Sequence, residues 1–268
     1  MRKIDLNKRW VVITGASTGL GREIAKHLAI KEKANLVIIS RRKELLVNLE
    51  KEIENRVKVE IVSIDFDLNK YDEIDKLFNK IIDNRNIYAI INNAGMTLYE
   101  KTTLSSINDY DKMINVNYKT PMKLSLMFLD YFLKKGEGLI LNVTSLGGLM
   151  TIPYQNVYSS TKHALQSFTE GLFIEYKQHR NIFISLCSPG GIDTEMYVKS
   201  GLINKFGKKN PFNMKAEKVA EIVLNGLKKR KRLIIPGFLN KLNVFLLRFI
   251  PYSLYLKFAA KLYKIEDD

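Results

Sequence analysis

The sequence contains few of the residues that build disulfides and metal sites. It has one cysteine, Cys187, and three histidines among 268 residues. A lone cysteine excludes an internal disulfide and a multi-cysteine metal site, and we predict no bound metal. No window reaches the roughly 18 consecutive apolar residues that a membrane-spanning helix needs. Residues 1–8 lack the apolar core of a secretory signal, so the sequence predicts a cytoplasmic location.

Acidic residues are absent from Ile222 to Ile265, a stretch of 44 residues that contains ten lysines or arginines. The formal net charge of the chain is +15, so this stretch carries +10 and the rest of the chain +5. Such a charge could belong to a nucleic-acid-binding module. Its concentration in one segment argues for a local cause, and we predict no nucleic-acid partner.

Apolar runs and amphipathic stretches alternate along the chain. The runs rich in Val and Ile predict strands at residues 9–14, 35–40, 57–64, 87–92, 139–143 and 182–187. The stretches between them predict helices at 21–31, 43–55, 71–84, 105–133 with an interruption near Pro121, and 154–178. Parallel neighbours need crossover helices, so the pattern predicts an α/β fold: one Rossmann-type domain with a doubly wound parallel sheet. We place this domain at 1–237 and an amphipathic helical C-terminal tail at 238–268.

A glycine-rich turn joins the first strand to the first helix, where residues 14–21 read T-G-A-S-T-G-L-G. Glycines allow positive φ and a close approach of backbone to a pyrophosphate, whose charge then lies at a helix N-terminus. A glycine turn can also be a plain tight connection. Its position after the first strand of a doubly wound sheet favours dinucleotide binding. We assign to this site Gly15, Ser17, Thr18, Gly19, Leu20 and Gly21.

The second strand ends in Ser40-Arg41-Arg42. Sites specific for NAD usually have an acidic residue here, whereas NADP sites offer a cation to the 2′-phosphate. Arg41 can form a charge-assisted contact with that phosphate. Both arginines could instead simply begin a solvated helix, and Arg42 need do no more than that. The sequence therefore favours NADP(H) over NAD(H).

Tyr158 and Lys162 lie four residues apart in Y-S-S-T-K, on one face of a predicted helix. A free tyrosine, with a pKa of about 10, is a poor base at neutral pH. A nearby ammonium favours the phenolate and would bring Tyr158 closer to the working range of a general acid–base catalyst. Ser145 ends the strand at 139–143, where its hydroxyl could hold a substrate carbonyl. A Tyr and a Lys at this spacing are common on helix surfaces. The prediction that Tyr158 and Lys162 are catalytic therefore depends on Ser145 and the cofactor motif.

Taken in order, these motifs resemble those of the short-chain dehydrogenase/reductase family. The resemblance covers roughly residues 8–196 and also includes D-L-N at Asp67, N-N-A-G at 92–95, Asn117, and Pro189-Gly190 followed by Thr194. It implies that Tyr158 is the general acid/base and that Ser145 orients the substrate oxygen.

The resemblance also implies roles for the remaining residues. Lys162 would tune Tyr158 and hold the nicotinamide ribose, and Asn117 would support a water-linked proton relay, with Asn115 as the alternative. Further cofactor contacts would come from Asp67 near the adenine, Asn93 near the adenosine, and Ala94, Gly95, Pro189, Gly190, Ile192 and Thr194. Residues 195–213 would form a mobile lid, for which a plain surface loop is the alternative. Relatives are often homodimers or homotetramers.

The tail has apolar residues at helical spacing, an interruption at Pro251, and a separate stripe of Lys257, Lys261 and Lys264. A basic amphipathic helix can lie on a membrane surface. The apolar stripe could equally cap the substrate cleft or form a subunit interface. The basic stripe favours peripheral contact with the inner surface of the membrane. A similar tail occurs in a bacterial subgroup of the family, and it would suit a lipophilic substrate.

The sequence thus predicts an NADP(H)-dependent oxidoreductase that acts on a small carbonyl or alcohol compound. The alternative is a catalytically idle NADP-binding protein with a regulatory role or a role at the membrane surface. The complete set of Ser145, Tyr158 and Lys162 argues against this alternative.

Overall fold

The computed structural model describes residues 4–202 and 213–264. Its main sheet has seven parallel strands in the order β3-β2-β1-β4-β5-β6-β9. These strands are β1 (Trp10–Thr14), β2 (Asn35–Ser40), β3 (Ile61–Asp65), β4 (Ile87–Asn92), β5 (Gly138–Val143), β6 (Ile182–Cys187) and β9 (Leu233–Ile234). A separate parallel pair consists of β7 (Ile192–Asp193) and β8 (Met214–Lys215).

Helices cover both faces of the sheet. They are α1 (Gly19–Ile30), α2 (Lys43–Glu54), α3 (Ile74–Ile82), α4 (Ile107–Ile114), α5 (Thr120–Lys135), α6 (Asn156–Glu175), α7 (Glu195–Lys199), α8 (Ala216–Lys228), α9 (Phe238–Leu247) and α10 (Tyr252–Tyr263). Single helical turns lie at Tyr71–Glu73, Asn115–Lys119 and Leu146–Gly148. Among the helices of the described residues, none has the length and apolar character that crossing a bilayer requires.

The core consists of two layers, one on each face of the sheet. Successive side chains of a strand point to opposite faces. In β1, Val11 and Ile13 accordingly join the layer beneath α1, α2 and α8, whereas Val12 joins the layer beneath α3 and α5. Every residue of β4, β5 and β6 is buried. This double burial explains why these strands are continuous apolar runs, and it confirms the predicted doubly wound fold.

Several boundaries differ from those predicted. The third strand begins at Ile61 and not at residue 57, and the predicted helix 105–133 is divided into α4, a π-helical turn and α5. Pro121 is the second residue of α5, directly after the π-helical turn, and has no N–H to donate within the helix. The sequence pattern predicted neither α8 nor β9, a strand of two residues that adds to the sheet beside β6. Of the predicted lid, 203–212 lies outside the described residues.

Candidate active site

The predicted functional segments meet at the carboxyl edge of the sheet. All seven main strands are parallel, so the segments that follow them emerge at the same edge. The chain winds outward in opposite directions from β1 and β4, which are neighbours, and a crevice opens at such a switch point. The glycine turn follows β1, Asn93 follows β4 and Ser145 follows β5. This arrangement places the motifs around one crevice.

The glycine turn has no room for side chains at its glycines. Gly15 and Gly19 have φ values of +67° and +56°, which favour glycine. A Cβ on Gly15 would lie 2.8 Å from Ala94 Cα, and one on Gly21 would lie 2.3 Å from the Gly15 carbonyl oxygen. The Asn93 amide donates hydrogen bonds of 3.1 and 3.2 Å to carbonyls of this turn. Asn93 therefore fixes the turn, and α1 begins within the turn, at Gly19.

We expect Gly21→Ala to damage this turn. The new methyl group would overlap a backbone oxygen and the Asn93 amide nitrogen, which lies 2.4 Å from the Cβ position. Overpacking of this kind costs about 1–3 kcal/mol. The melting temperature and the affinity for NADPH should both fall.

Gly171→Ala is the matched control, because within residues 4–202 and 213–264 no atom outside the adjoining backbone of α6 lies within 4 Å of the Cβ position at this glycine. There the change should stabilise the helix by about 0.5–1 kcal/mol. Equal NADPH affinity in the two variants would contradict the assignment of the turn.

The structure places Arg42, and not Arg41, against the glycine turn. Arg42 Nη2 lies 2.7 Å from Thr18 Oγ1 and 3.4 Å from Ser17 Oγ, and Nη1 lies 2.6 Å from Glu195 Oε2. The Arg41 guanidinium is exposed and lies 4.0 Å from an Asp67 carboxylate oxygen. Arg42 therefore does more than begin α2, which was the limited role that the sequence left open for it. The sequence showed two adjacent arginines, but not which of them turns back over the loop.

Glu195 connects this corner to α7. Hydrogen bonds from Lys199 and Arg42 lower the pKa of its carboxyl group to about 2. Glu195 is therefore ionised at neutral pH and balances the charge of Arg42. This ion pair joins the end of β2 to the start of the predicted lid segment.

Tyr158 and Ser145 converge on Gly147. A Cβ on Gly147 would lie 3.3 Å from Tyr158 Cε1 and 3.5 Å from Ser145 Oγ. The Gly147 N–H donates a 3.0 Å hydrogen bond to Ser145 Oγ, which fixes the hydroxyl beside the phenol. Burial raises the pKa of Tyr158 above its usual value, and a hydrogen bond with Ser145 opposes this shift. Tyr158 is therefore protonated at neutral pH and can donate a proton.

Lys162 is buried on the same helix. Its Nζ donates a 3.1 Å hydrogen bond to the Val143 carbonyl oxygen and lies 5.9 Å from the Tyr158 ring centroid. Burial lowers the pKa of Lys162 to about 8. The predicted shared face is present, but the predicted net lowering of the Tyr158 pKa is not. The reason is that burial of the phenol raises its pKa by more than the hydrogen bond with Ser145 lowers it.

Asn117 occupies the π-helical turn Asn115–Lys119, a feature frequent at functional sites. Its amide exchanges two 2.9 Å hydrogen bonds with the backbone of Met96 and donates another to Thr161 Oγ1. A Cβ on Gly95 would lie 3.4 Å from both Asn117 Oδ1 and Lys162 Nζ. Asn117 therefore lies beside the buried ammonium. The alternative, Asn115, contacts Asn69 instead.

The segment after β6 closes the crevice. The Pro189 carbonyl accepts a hydrogen bond from the backbone of Leu146, and a Cβ on Gly19 would lie 2.9 Å from Thr194 Cγ2. Ile192 begins β7 nearby. A Cβ on Gly190 would lie 2.6 Å from Asn240 Nδ2. Asn240 comes from α9, and no sequence signal marked it, because its spacing does not distinguish it from Asn243 of the same helix.

The crevice fits a nicotinamide dinucleotide. Without side chains at Gly15, Gly19 and Gly21, the backbone of the turn can approach a pyrophosphate closely, and a helix N-terminus without acidic residues in its first turn adjoins it. Arg42 with two hydroxyl groups provides an anion-binding corner at the end of β2. Tyr158 and Lys162 lie at the other end of the crevice.

The short-chain dehydrogenase family model matches residues 9–202, which is most of the chain. The chain therefore belongs to the short-chain dehydrogenase/reductase family. It is an NAD(P)-dependent oxidoreductase that acts on CH–OH or C=O groups.

Individual relatives agree with this assignment. The chain is 33% identical over 200 residues to a very-long-chain 3-oxoacyl-CoA reductase of Danio rerio, covering 73% of this chain and 63% of that protein. It is 31% identical to an NADP-dependent 3-hydroxy acid dehydrogenase of Schizosaccharomyces pombe, covering 86% and 91%. A short-chain dehydrogenase of Sphingobium yanoikuyae, solved with NADPH, has the same fold, with a TM-score of 0.79, 23% identity and coverage of 91% and 96%.

Proposed function

We propose that the protein is an NADP(H)-dependent reductase that converts a lipophilic carbonyl compound to an alcohol, with Tyr158 as general acid. The observation that carries this proposal is the convergence of the Tyr158 and Ser145 hydroxyls within one crevice, beside the buried Lys162 ammonium. In the reverse direction, Tyr158 would act as general base.

The chain's own residues account for the proton chemistry. When bound, NADPH supplies the hydride to the carbonyl carbon. Ser145 holds the carbonyl oxygen, and Tyr158 donates its proton to that oxygen as negative charge develops. The Lys162 cation stabilises the phenolate that remains, and Asn117 supports a water-linked return of the proton. Cellular NADP pools are normally kept reduced, which favours the reductive direction.

For the adenosine end of the cofactor we propose that Arg41 and Arg42 both bind the 2′-phosphate. Arg42 lies against Ser17 and Thr18, and Arg41 lies beside Asp67. A hydrogen bond to a charged group contributes about 1.5–3 kcal/mol. Each guanidinium could therefore favour NADPH over NADH by roughly tenfold or more.

Arg42→Ser should raise KM for NADPH by at least roughly tenfold while changing KM for NADH little, since only NADPH carries the phosphate. Steady-state kinetics with both cofactors measure this shift. Arg56→Ser is the control, because Arg56 is an exposed guanidinium beyond the end of α2. An equal loss with both cofactors would show that Arg42 only supports the turn.

An apolar cluster lies directly after Ser145 in the chain. Three apolar residues of the segment that follows Ser145 pack with Tyr255 of α10; they are Leu146, Met150 and Ile152. Two of the relatives named above are called a 3-oxoacyl-CoA reductase and a 3-hydroxy acid dehydrogenase. These features favour a substrate with an extended apolar part next to its carbonyl group.

The experiment that tests this function measures NADPH oxidation with 3-oxoacyl thioesters and ketones of increasing chain length. We expect kcat/KM to rise with apolar chain length. No oxidation with any carbonyl compound, despite tight NADPH binding, would support an idle binding protein. Light scattering in the same buffer tests the expected homodimer or homotetramer.

A further inference from the structure

The two tail helices have two apolar faces. One face, the inner face, packs on the protein: Val244 and Leu247 of α9 and Tyr255, Ala259 and Tyr263 of α10 join the cluster of Leu146, Met150 and Ile152. The other face, the outer face, points to solvent at helical spacing and consists of Phe238, Leu242, Phe245 and Phe249, followed by Leu254, Phe258 and Leu262. An amphipathic helix needs one apolar face for its own protein. The outer face therefore needs a separate explanation.

The inner face fixes α10 to residues 145–158, the segment between Ser145 and Tyr158, which we call the catalytic segment. The Tyr255 hydroxyl donates a hydrogen bond to the Thr151 carbonyl, and the Tyr252 and Thr151 hydroxyls lie 2.9 Å apart. The Tyr99 hydroxyl donates a 2.6 Å hydrogen bond to the Tyr263 carbonyl. Thr151 lies between Ser145 and Tyr158 in the chain. The tail is thus held at the wall of the crevice.

A surface groove lies between the tail and the segment that leads to Tyr158. The groove has a volume of about 270 Å³ and is lined by Lys101, Thr102, Pro153, Tyr154, Asn156 and Ala260. Three of these residues also line a narrow recess that reaches Tyr158. Ala260 belongs to α10, so the groove opens beside the tail. A molecule arriving along α10 would meet the catalytic segment first.

The outer face concentrates the exposed apolar surface of the molecule. Of the eighteen large apolar side chains exposed in the described residues, twelve lie between Phe238 and Leu262. Phe249 and Phe258 are 71% and 63% exposed. Soluble monomers rarely expose an apolar surface of this extent unless it has a binding role.

The charges around the outer face select its occupant. Lys241, Arg248, Lys257 and Lys261 lie on stripes that border it, and within residues 4–202 and 213–264 none of them meets a carboxylate. A second copy docked face to face would bring the same cations together, which opposes self-association. An anionic lipid surface offers apolar depth and negative headgroups at once. The acidic residues 266–268 follow, outside the described residues.

We propose that the outer face of α9 and α10 docks on a membrane surface that contains anionic lipid. The aromatic side chains enter the interface and the four cations meet the headgroups. The inner face then holds the groove and the crevice at the bilayer, so that a substrate dissolved in lipid reaches Tyr158 without crossing water. This last step rests on the proposed reductase function, whereas the docking does not.

The test is co-sedimentation of the full chain with vesicles. We expect binding to vesicles of phosphatidylcholine with phosphatidylglycerol, and weaker binding to phosphatidylcholine alone or at high salt. The triple change Phe245→Ala, Phe249→Ala and Phe258→Ala should weaken binding by at least roughly tenfold, because each ring loses its apolar burial. The triple change Lys241→Glu, Arg248→Glu and Lys257→Glu should abolish the preference for anionic lipid.

Matched controls change equally exposed residues elsewhere. Leu104→Ala, Ile107→Ala and Ile174→Ala remove three apolar side chains that are at least 70% exposed, and Lys58→Glu, Lys76→Glu and Lys80→Glu reverse three exposed charges. Both controls should bind vesicles as the unchanged chain does.

Three results would overturn the proposal. One is an unchanged chain that stays in the supernatant with anionic vesicles, and another is equal loss in the controls. The third result combines two observations: the chain does not bind vesicles, and light scattering shows an oligomer that the three Phe→Ala changes convert to monomer. That result would assign the outer face to a second copy.

If docking holds, anionic vesicles should also raise the reduction rate of a lipid-soluble ketone and leave that of a water-soluble ketone unchanged. Docking without any reductase activity would refute the proposed function alone.

Discussion

Replacing Tyr158 by Phe is expected to lower kcat for carbonyl reduction by about 10²–10⁴-fold, the contribution of a positioned general acid. The change removes one oxygen atom from a half-buried ring on α6 and leaves its packing around Gly147 in place. NADPH affinity and the melting temperature should therefore change little. Single-turnover NADPH oxidation, followed by absorbance, separates the chemical step from product release.

Tyr176→Phe provides the matched control. Tyr176 directly follows α6, at the opposite end of this helix from Tyr158, and its ring contacts His179. This variant should retain full activity. If Tyr158→Phe kept normal kcat, the proton would have to come from another donor, and the assignment of the acid would be wrong.

Lys162→Met is expected to reduce kcat strongly and to change the pH dependence of both activity and stability. The buried cation has a pKa of about 8 in the folded chain. Above that pH the unchanged enzyme loses the charge that stabilises the developing phenolate, so its reduction rate should fall. Tyr158, whose pKa is raised, remains protonated through this range and does not cause the fall.

The stability effect has a defined sign. The pKa of Lys162 in the folded chain lies below that of an unfolded lysine, about 10.4, so the unfolded state binds more protons between these values. Burying the cation therefore lowers the free energy of unfolding below pH 8. As the pH rises toward 10.4, the free energy of unfolding should increase by about 3 kcal/mol.

Denaturant unfolding at several pH values, compared between the unchanged chain and Lys162→Met, measures this difference. Lys177→Met, at an exposed position after α6, is the control. A free-energy difference that does not vary with pH would show that Lys162 is not held as a destabilised buried cation.

The sequence predicted the fold class because its signal is strong in the buried strands. Continuous apolar runs such as 87–91 are typical of strands buried on both faces, and helices between such strands indicate parallel pairing. β9 escaped prediction because two residues carry no periodicity. The start of β3 was misplaced because residues 57–60 are apolar at alternate positions but precede the hydrogen-bonded ladder.

The site was predictable where residue type and chain order suffice, and unpredictable where side-chain direction decides. The positions of Gly15, Ser145, Tyr158 and Lys162 follow from strand ends and helical spacing. The turn of Arg42 toward Thr18 depends on a rotamer, and the raised pKa of the phenol depends on how much water the fold excludes. Neither property is encoded in spacing.

The tail shows the same limit. Apolar spacing in 238–264 predicted helices but left membrane contact, cleft capping and subunit contact open. The structure shows that the inner face packs on the segment after Ser145, through Tyr255 and Ala259, while the outer face stays exposed. The apolar residues of the tail, which the sequence presents as one stripe, form two faces of the helices. Only tertiary packing shows which residues belong to which face.

The most direct test of the account follows the hydride itself. The full chain would be given NADPH carrying deuterium at the transferred position of the nicotinamide ring, together with a long-chain ketone, and the alcohol product analysed by mass spectrometry. We expect one deuterium on the carbinol carbon and, in Tyr158→Phe, almost no product. Tight NADPH binding with no labelled alcohol from any carbonyl compound would contradict it.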